Sequence, residues 1–278
     1  MPFELGSNGS INAHCASVRT RSRDMHRPSP TNHAQVGRHA LVTDIEALRA
    51  HLGIDRWVVV GVSWGVTLGL VYAQAHPERV RAMVLGAVTS GSRRETEWIT
   101  RDVGRIFPRQ WEAFAAQVAA AERGGDLAAA YARLLADPDP AVREGAARVW
   151  CAWEDTHVSL MPGWAPSPWF TDPTFRSVFA RLVTHYWSHG CFLTDGQVLA
   201  GMPRLVGIPG VLIHGRYDVS GPADVAWRLH PGVAGQRVRA ARRCGPRRCQ
   251  LHRPRHRRPE RLPRTGNVGS AVELREGR

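Results

Sequence analysis

The pattern of apolar positions turns on one stretch, residues 57 to 75, WVVVGVSWGVTLGLVYAQA. Trp57 to Val60 is a short run rich in β-branched residues, the composition of a strand buried on both faces. From Val66 onward the apolar and small residues continue at a length that suits a helix. Between them lies Gly61-Val62-Ser63-Trp64-Gly65, so the pattern predicts strand, sharp turn, helix. Upstream, Leu41, Ile45, Leu48 and Leu52 mark one face of a helix that ends at Gly53. Downstream, His76-Pro77 stops the helix that begins near Val66, and Val80 to Leu85 reads as the next strand. Strand, helix, strand at this spacing is a βαβ unit and implies a parallel sheet. Nineteen mostly apolar residues approach bilayer length, and Gly61, Gly65 and Gly69 have the spacing of packed membrane helices. The flanks, His51 to Arg56 and His76 to Arg79, read instead as connections in a water-soluble fold.

Beyond residue 92 the period changes. Trp98, Ile106, Phe107, Trp111, Phe114, Val118, Tyr131 and Leu135 recur at helical spacing, followed by Trp150, Trp153, Tyr186 and Trp187. Seven of the ten tryptophans fall in residues 93–200, most of them expected as core. A helical insertion over an α/β sheet can also act as a lid. Ile208 to Gly215 resumes the sheet, and Arg216-Tyr217-Asp218 lies just past its carboxyl end, where ligand-facing residues of open parallel sheets sit. Residues 1–38 have almost no apolar periodicity and one aromatic, Phe3, too little to bury a core. The expected organisation is an irregular segment 1–38, an α/β core from 39–92 and 201–230, a helical cap 93–200, and an unstructured Arg/Pro-rich tail 231–278.

Charge changes the picture at the tail. The formal net charge is +13, and residues 231–278 hold 14 arginines against 3 glutamates. All 37 basic residues are arginine, as a GC-rich gene encodes. Clustered arginine attracts phosphate, but the tail has no Phe, Trp or Tyr to stack on bases, so only non-specific nucleic-acid contact is expected of it. The five cysteines are odd in number and scattered, as in a reducing compartment. Residues 1–20 show no basic start followed by an apolar run, so no signal peptide is visible and a cytoplasmic location is expected.

The candidate chemistry is at Ser63. A serine in G-x-S-x-G between strand and helix sits on a nucleophile elbow. Its backbone is strained, glycines two residues away let strand and helix pass closely, and the amide of Trp64 at the helix start points where an oxyanion forms.

These residues carry a resemblance. With Gly61-Val62-Ser63-Trp64-Gly65, Thr67, and Tyr72 to Val80, the chain resembles the proline iminopeptidase family of the α/β-hydrolase superfamily. The likeness continues through Arg93 to Trp98, Ile106 to Trp111, Trp150 to Glu154, His185-Tyr186, and Ile208 to Leu229. It implies a mostly parallel α/β-hydrolase sheet with an inserted helical cap. It also implies release of N-terminal proline from peptides by serine acyl transfer, with no metal or cofactor and no membrane. By position, Ser63 matches the nucleophile, Trp64 the oxyanion amide, Asp218 the acid that orients the catalytic histidine, and Glu154 a cap carboxylate that binds the substrate's ammonium.

Three departures accompany it. Where the family has a second glutamate, this chain has Val183, which favours weaker ammonium binding and keeps an esterase or other amidase as an alternative. The family's histidine follows its acid by nearly thirty residues; here His230 follows Asp218 by 12 and His252 and His256 by 34 and 38. Residues 1–38 contain neither the family's His-Gly-Gly-Pro oxyanion segment nor its first strands. The stretch His230 to Gln236 can be encoded so that loss of one cytosine after the His230 codon reads His-Arg-Ala-Trp-Pro-Gly-Ser, as the family has there. The tail is therefore expected to be an out-of-frame reading, and the enzyme to be impaired. A reading from another class is a non-catalytic basic protein that holds nucleic acid through the tail.

Overall fold

The computed structural model describes residues 38–160, 163–230 and 237–241. Four strands, β1 (Trp57–Val62), β2 (Val80–Gly86), β3 (Gly210–Gly215) and β4 (Arg237–Ala241), form one parallel sheet in that order. The β-branched runs supply the ladder, with Val60 opposite Val84 and Val84 opposite Val211. β4 falls inside the stretch read as an unstructured tail, so that expectation fails for residues 237–241. The other residues of the tail, and residues 1–37, lie outside the described residues.

Around the sheet are α1 (Arg38–His51), α2 (Trp64–Ala75), α8 (Gln197–Ala200) and α9 (Ala223–Leu229). Between β2 and β3 the chain forms α3 (Arg93–Thr100), α4 (Pro108–Ala116), α5 (Leu127–Leu134), α6 (Pro140–His157) and α7 (Pro173–Ser188). Local signals explain their starts. Ser92 and Glu95 form a reciprocal capping box at α3. Asp139 and Asp172 cap α6 and α7 through their side chains, each followed by a proline at the first helical position, where its missing N–H costs nothing.

Two apolar cores result. One joins Val66, Leu70, Met83, Leu85, Leu212 and Leu229 on one face of the sheet. The other is aromatic: Phe114 stacks on Tyr131 at 4.6 Å, and Trp150 and Trp153 pack against the same ring. Buried ring polar atoms find carbonyls, Tyr131 donating to Phe114 O at 2.7 Å and Trp153 to Ile99 O at 3.1 Å. Val198, Met202 and Leu205 pack with the sheet core.

Two features differ from the sequence pattern. β1 is an edge strand in the described sheet, and Val58 and Val60 are 44% and 69% exposed. Their β-branched composition suggested burial on both faces, but α2 covers only the face carrying Val59, which Gly69 approaches. On α1 the buried residues are Val42 and Arg49, with Ile45 packed against the core, while Leu48 and Leu52 are exposed. The rotation follows from polar contacts: Arg49 donates to both Glu46 oxygens and to the Ile54 carbonyl, and the Tyr72 hydroxyl donates to Glu46 at 2.9 Å.

The Arg49 guanidinium, helped by the Tyr72 hydroxyl, holds Glu46 down from 4.5 to about 2. A carboxylate depressed in the folded state stabilises above its unfolded pKa and ceases to as pH falls through the folded one. The stability advantage of the parent over Glu46→Gln should therefore be full above pH 4.5 and fade toward pH 2. Urea midpoints measured across that range check it, and a pH-independent difference would contradict the pairing.

Candidate active site

Ser63 sits between β1 and α2 with φ 53° and ψ −124°. A positive φ is costly for a residue with a Cβ and persists only where the surroundings enforce it. Here they do. The Ser63 N–H donates to Gly86 O at 3.0 Å, prolonging the β1–β2 ladder past its last pair. Its carbonyl accepts from Val66 N at 2.8 Å and from the Thr89 hydroxyl at 3.4 Å. The Ser63 side chain makes no helix-capping hydrogen bond, so the corner is held by main chain and the hydroxyl is left for other work. Trp64 opens α2, and the first amides of a helix have no intrahelical acceptor.

The two motif glycines are not equivalent. A Cβ on Gly61 would lie 2.7 Å from the Gly65 carbonyl carbon and 2.9 Å from Val66 N, and closer still to the Gly65 oxygen. A Cβ on Gly65 would meet nothing within 4 Å. The expectation that both glycines are needed for close passage is thus corrected: the strand-side residue must be glycine, because helix backbone turns back over it, whereas the helix-side residue only lends its backbone.

Asp218 lies just beyond β3 and is 8% exposed. Its Oδ1 accepts from the Ser220 hydroxyl at 2.8 Å and from Gly221 N at 3.3 Å. Trp98 of α3 pins the same loop by donating to Val219 O at 2.7 Å. Ser63 and Asp218 stand on strands that flank β2, at the same carboxyl edge. Two interstrand steps separate those strands, about 10 Å.

His214, near the end of β3, reads from sequence only as part of a strand. It is buried, and both ring nitrogens are engaged: Nδ1 accepts from Val88 N at 3.0 Å and Nε2 donates to Gly221 O at 2.5 Å. The imidazole therefore ties the segment after β2 to the acid loop and has no free nitrogen to act as a base. A histidine beside Val211-Leu212-Ile213 is the signal that could have found it, since a polar ring in a buried strand needs partners for both nitrogens. Among the described residues the partners of the Asp218 carboxylate include no histidine. His252 and His256 lie outside the described residues.

The cap reaches the elbow through aromatic rings. Trp64 packs on Tyr186 of α7 with centroids 4.6 Å apart, and Tyr186 meets Phe192 edge-on at 5.6 Å. Thr67 fixes the post-β2 loop to α2 through its 2.7 Å contact with the Thr89 hydroxyl. Glu154, near the end of α6, is 5% exposed. It accepts from Trp150 Nε1 at 3.2 Å, and its other oxygen is 3.2 Å from His157 Nε2. Val183 on α7 is partly buried against the aromatic core. The structure thus brings Ser63, Trp64 and the Asp218 loop to one edge, with Glu154 held separately inside the cap.

Cys151 and Cys191 are buried and unpaired. Burial, with the Glu95 charge adding to it, pushes the Cys191 thiol up to about 12, which leaves it a poor nucleophile at neutral pH. Among the described residues no cluster of three or more His, Cys, Asp or Glu could hold a metal ion, and no helix is long and apolar enough to cross a membrane.

Comparison with known proteins agrees with this arrangement. The chain is 48% identical over 194 residues to a probable proline iminopeptidase of Streptomyces coelicolor, a match covering 68% of this chain and 59% of the relative. It is 40% identical over 208 residues to a probable proline iminopeptidase of Leptolyngbya boryana, covering 73% and 64%. It is 42% identical over 192 residues to a proline iminopeptidase of Xylella fastidiosa, covering 68% and 61%. The matched part of the chain thus spans roughly three-fifths of the length of these curated relatives. A family model for the alpha/beta hydrolase fold matches residues 26–231, a span that holds the elbow, the cap and the acid loop. Parallel sheet, strained serine corner and inserted helices are accounted for together: the chain belongs to the alpha/beta hydrolase fold family.

Proposed function

We propose that the chain is built for serine acyl transfer on peptides with an N-terminal proline. Ser63 Oγ would attack the scissile carbonyl and yield its proton to a base, and the Trp64 amide would donate to the oxyanion. The C–N bond would break with that proton passing to the departing peptide amine, and water would then hydrolyse the prolyl ester on Ser63. Asp218 would orient a histidine, and Glu154 would receive the substrate's ammonium. The observation that carries this reading is Ser63 at φ 53°, its hydroxyl unused by the helix cap, with the buried carboxylate of Asp218 two strands away at the same sheet edge. Relatives named as proline iminopeptidases support the substrate class. The engaged nitrogens of His214 support reduced activity, since among the described residues no histidine has Asp218 as a partner.

A second reading, hydrolysis of esters or other amides, is favoured by one observation: Val183 brings an apolar side chain where the resemblance calls for a second carboxylate. Nitrophenyl esters test both readings, because their leaving group departs without being protonated. Release from the prolyl ester should exceed release from the acetyl ester, and Ser63→Ala should lower both. Equal rates for the two esters would favour the second reading. A rate indifferent to Ser63→Ala would refute both.

A further inference from the structure

Glu154 and His157 form an under-bonded pair in the cap interior. Both are buried, at 5% and 3% exposure, one turn apart on α6. An ionised carboxylate offers about four acceptor positions, yet among the described residues the hydrogen bond made to Glu154 is the single one from Trp150 at 3.2 Å. His157 Nε2 stands 3.2 Å from Oε2 but off the line of a hydrogen bond, and neither ring nitrogen of His157 has a hydrogen-bond partner among the described residues. Buried polar groups left this way are uncommon and costly. Nearby charges are engaged elsewhere: Arg176 of α7 pairs with Glu144 and donates to the Phe170 and Thr171 carbonyls, and Asp155 accepts from Ser167 N. Val183, on the helix packed against α6, contributes no charge.

We propose that His157 is a specificity-determining residue, an internal partner of Glu154 that an incoming substrate amine must displace. This rests on the reading that Glu154 receives the amine. An ammonium brings three N–H donors and fills the vacant acceptor positions of Glu154, but only if the imidazole gives up its place beside Oε2. The chain therefore discriminates less between charged and uncharged acyl groups than a cap with an unobstructed carboxylate, and the obstruction is His157 itself.

The test is calorimetric titration of the full chain with prolinamide and with N-acetylprolinamide, which lacks the ammonium. His157→Leu and His157→Ala should each tighten prolinamide binding about tenfold, the equivalent of one strong polar contact, and leave N-acetylprolinamide unchanged. Glu154→Gln should weaken prolinamide alone. Prolinamide affinity unaltered in both His157 variants but lowered in Glu154→Gln overturns the proposal while sparing the amine site. Affinity unaltered in Glu154→Gln as well removes the amine site and the proposal together. A measurement on the parent chain guards against variants that fail to fold: the His157 ring proton resonance should move with prolinamide and stay put with N-acetylprolinamide. Absence of that movement also overturns the proposal.

Discussion

Gly61→Ala will destabilise the fold by about 3 kcal/mol or more, the upper range for overpacking a site that cannot relax. The added methyl would lie within 2.9 Å of three backbone atoms of Gly65 and Val66. None of these is the movable end of a side chain, so relief requires β1 and α2 to separate. Separation in turn breaks the contact between Val59 and Gly69, which is so close that a Cβ on Gly69 would lie 3.0 Å from the valine methyl. It also loosens the hydrogen bonds that hold Ser63 at positive φ. A change of that size lowers the thermal midpoint by roughly 6–12 °C in a domain of this length. Gly65→Ala is the control: its Cβ meets open space, alanine is the better helix former, and the midpoint should stay level or rise. Thermal unfolding of the pair separates a steric need at one glycine from a general need for both. Equal losses would show that the corner is more tightly closed around Gly65 than the described geometry allows.

Turnover of a proline arylamide by this chain will fall about 10⁶-fold short of a serine hydrolase with a complete triad, the loss seen when the base is removed. The physical reason is proton bookkeeping. The serine proton must leave as the carbonyl is attacked, and the arylamine nitrogen must gain one as it departs. His214 cannot serve either step, because Nδ1 accepts from Val88 N and Nε2 donates to Gly221 O. Members of a triad act as a unit, so their losses do not add. Ser63→Ala should accordingly lower the residual arylamide rate by less than about tenfold. Steady-state rates of the parent and Ser63→Ala decide the matter. A fast parent that Ser63→Ala silences would mean that a histidine outside the described residues reaches Asp218, with His252 and His256 the first to substitute.

Parts of this architecture could be read directly from residue order. The β-branched run, the elbow pentapeptide and the His76-Pro77 stop are local, and local stereochemistry alone makes strand, corner, helix and strand of them. The helix starts at Ser92, Asp139 and Asp172 are likewise written in short-range hydrogen-bonding chemistry. Ser63 and Asp218 could be nominated because each follows a strand, and parallel strands deliver their carboxyl ends to one edge.

What tertiary structure alone decided depends on partners distant in the chain. The buried face of α1 turned toward Val42 and Arg49 because Glu46 binds Tyr72, 26 residues away. Val58 and Val60 have the same composition as Val59, and only the position of α2 on one side of the sheet made them exposed. His214 became a strut instead of a candidate base because Val88 N, 126 residues earlier, donates to it. Glu154 could be nominated from the resemblance, but that it and His157 share a buried place in the cap needed the packing of the cap helices. Sequence periodicity reports which residues can share a face; which face is covered, and which polar group finds a partner there, is settled only when the distant segments pack.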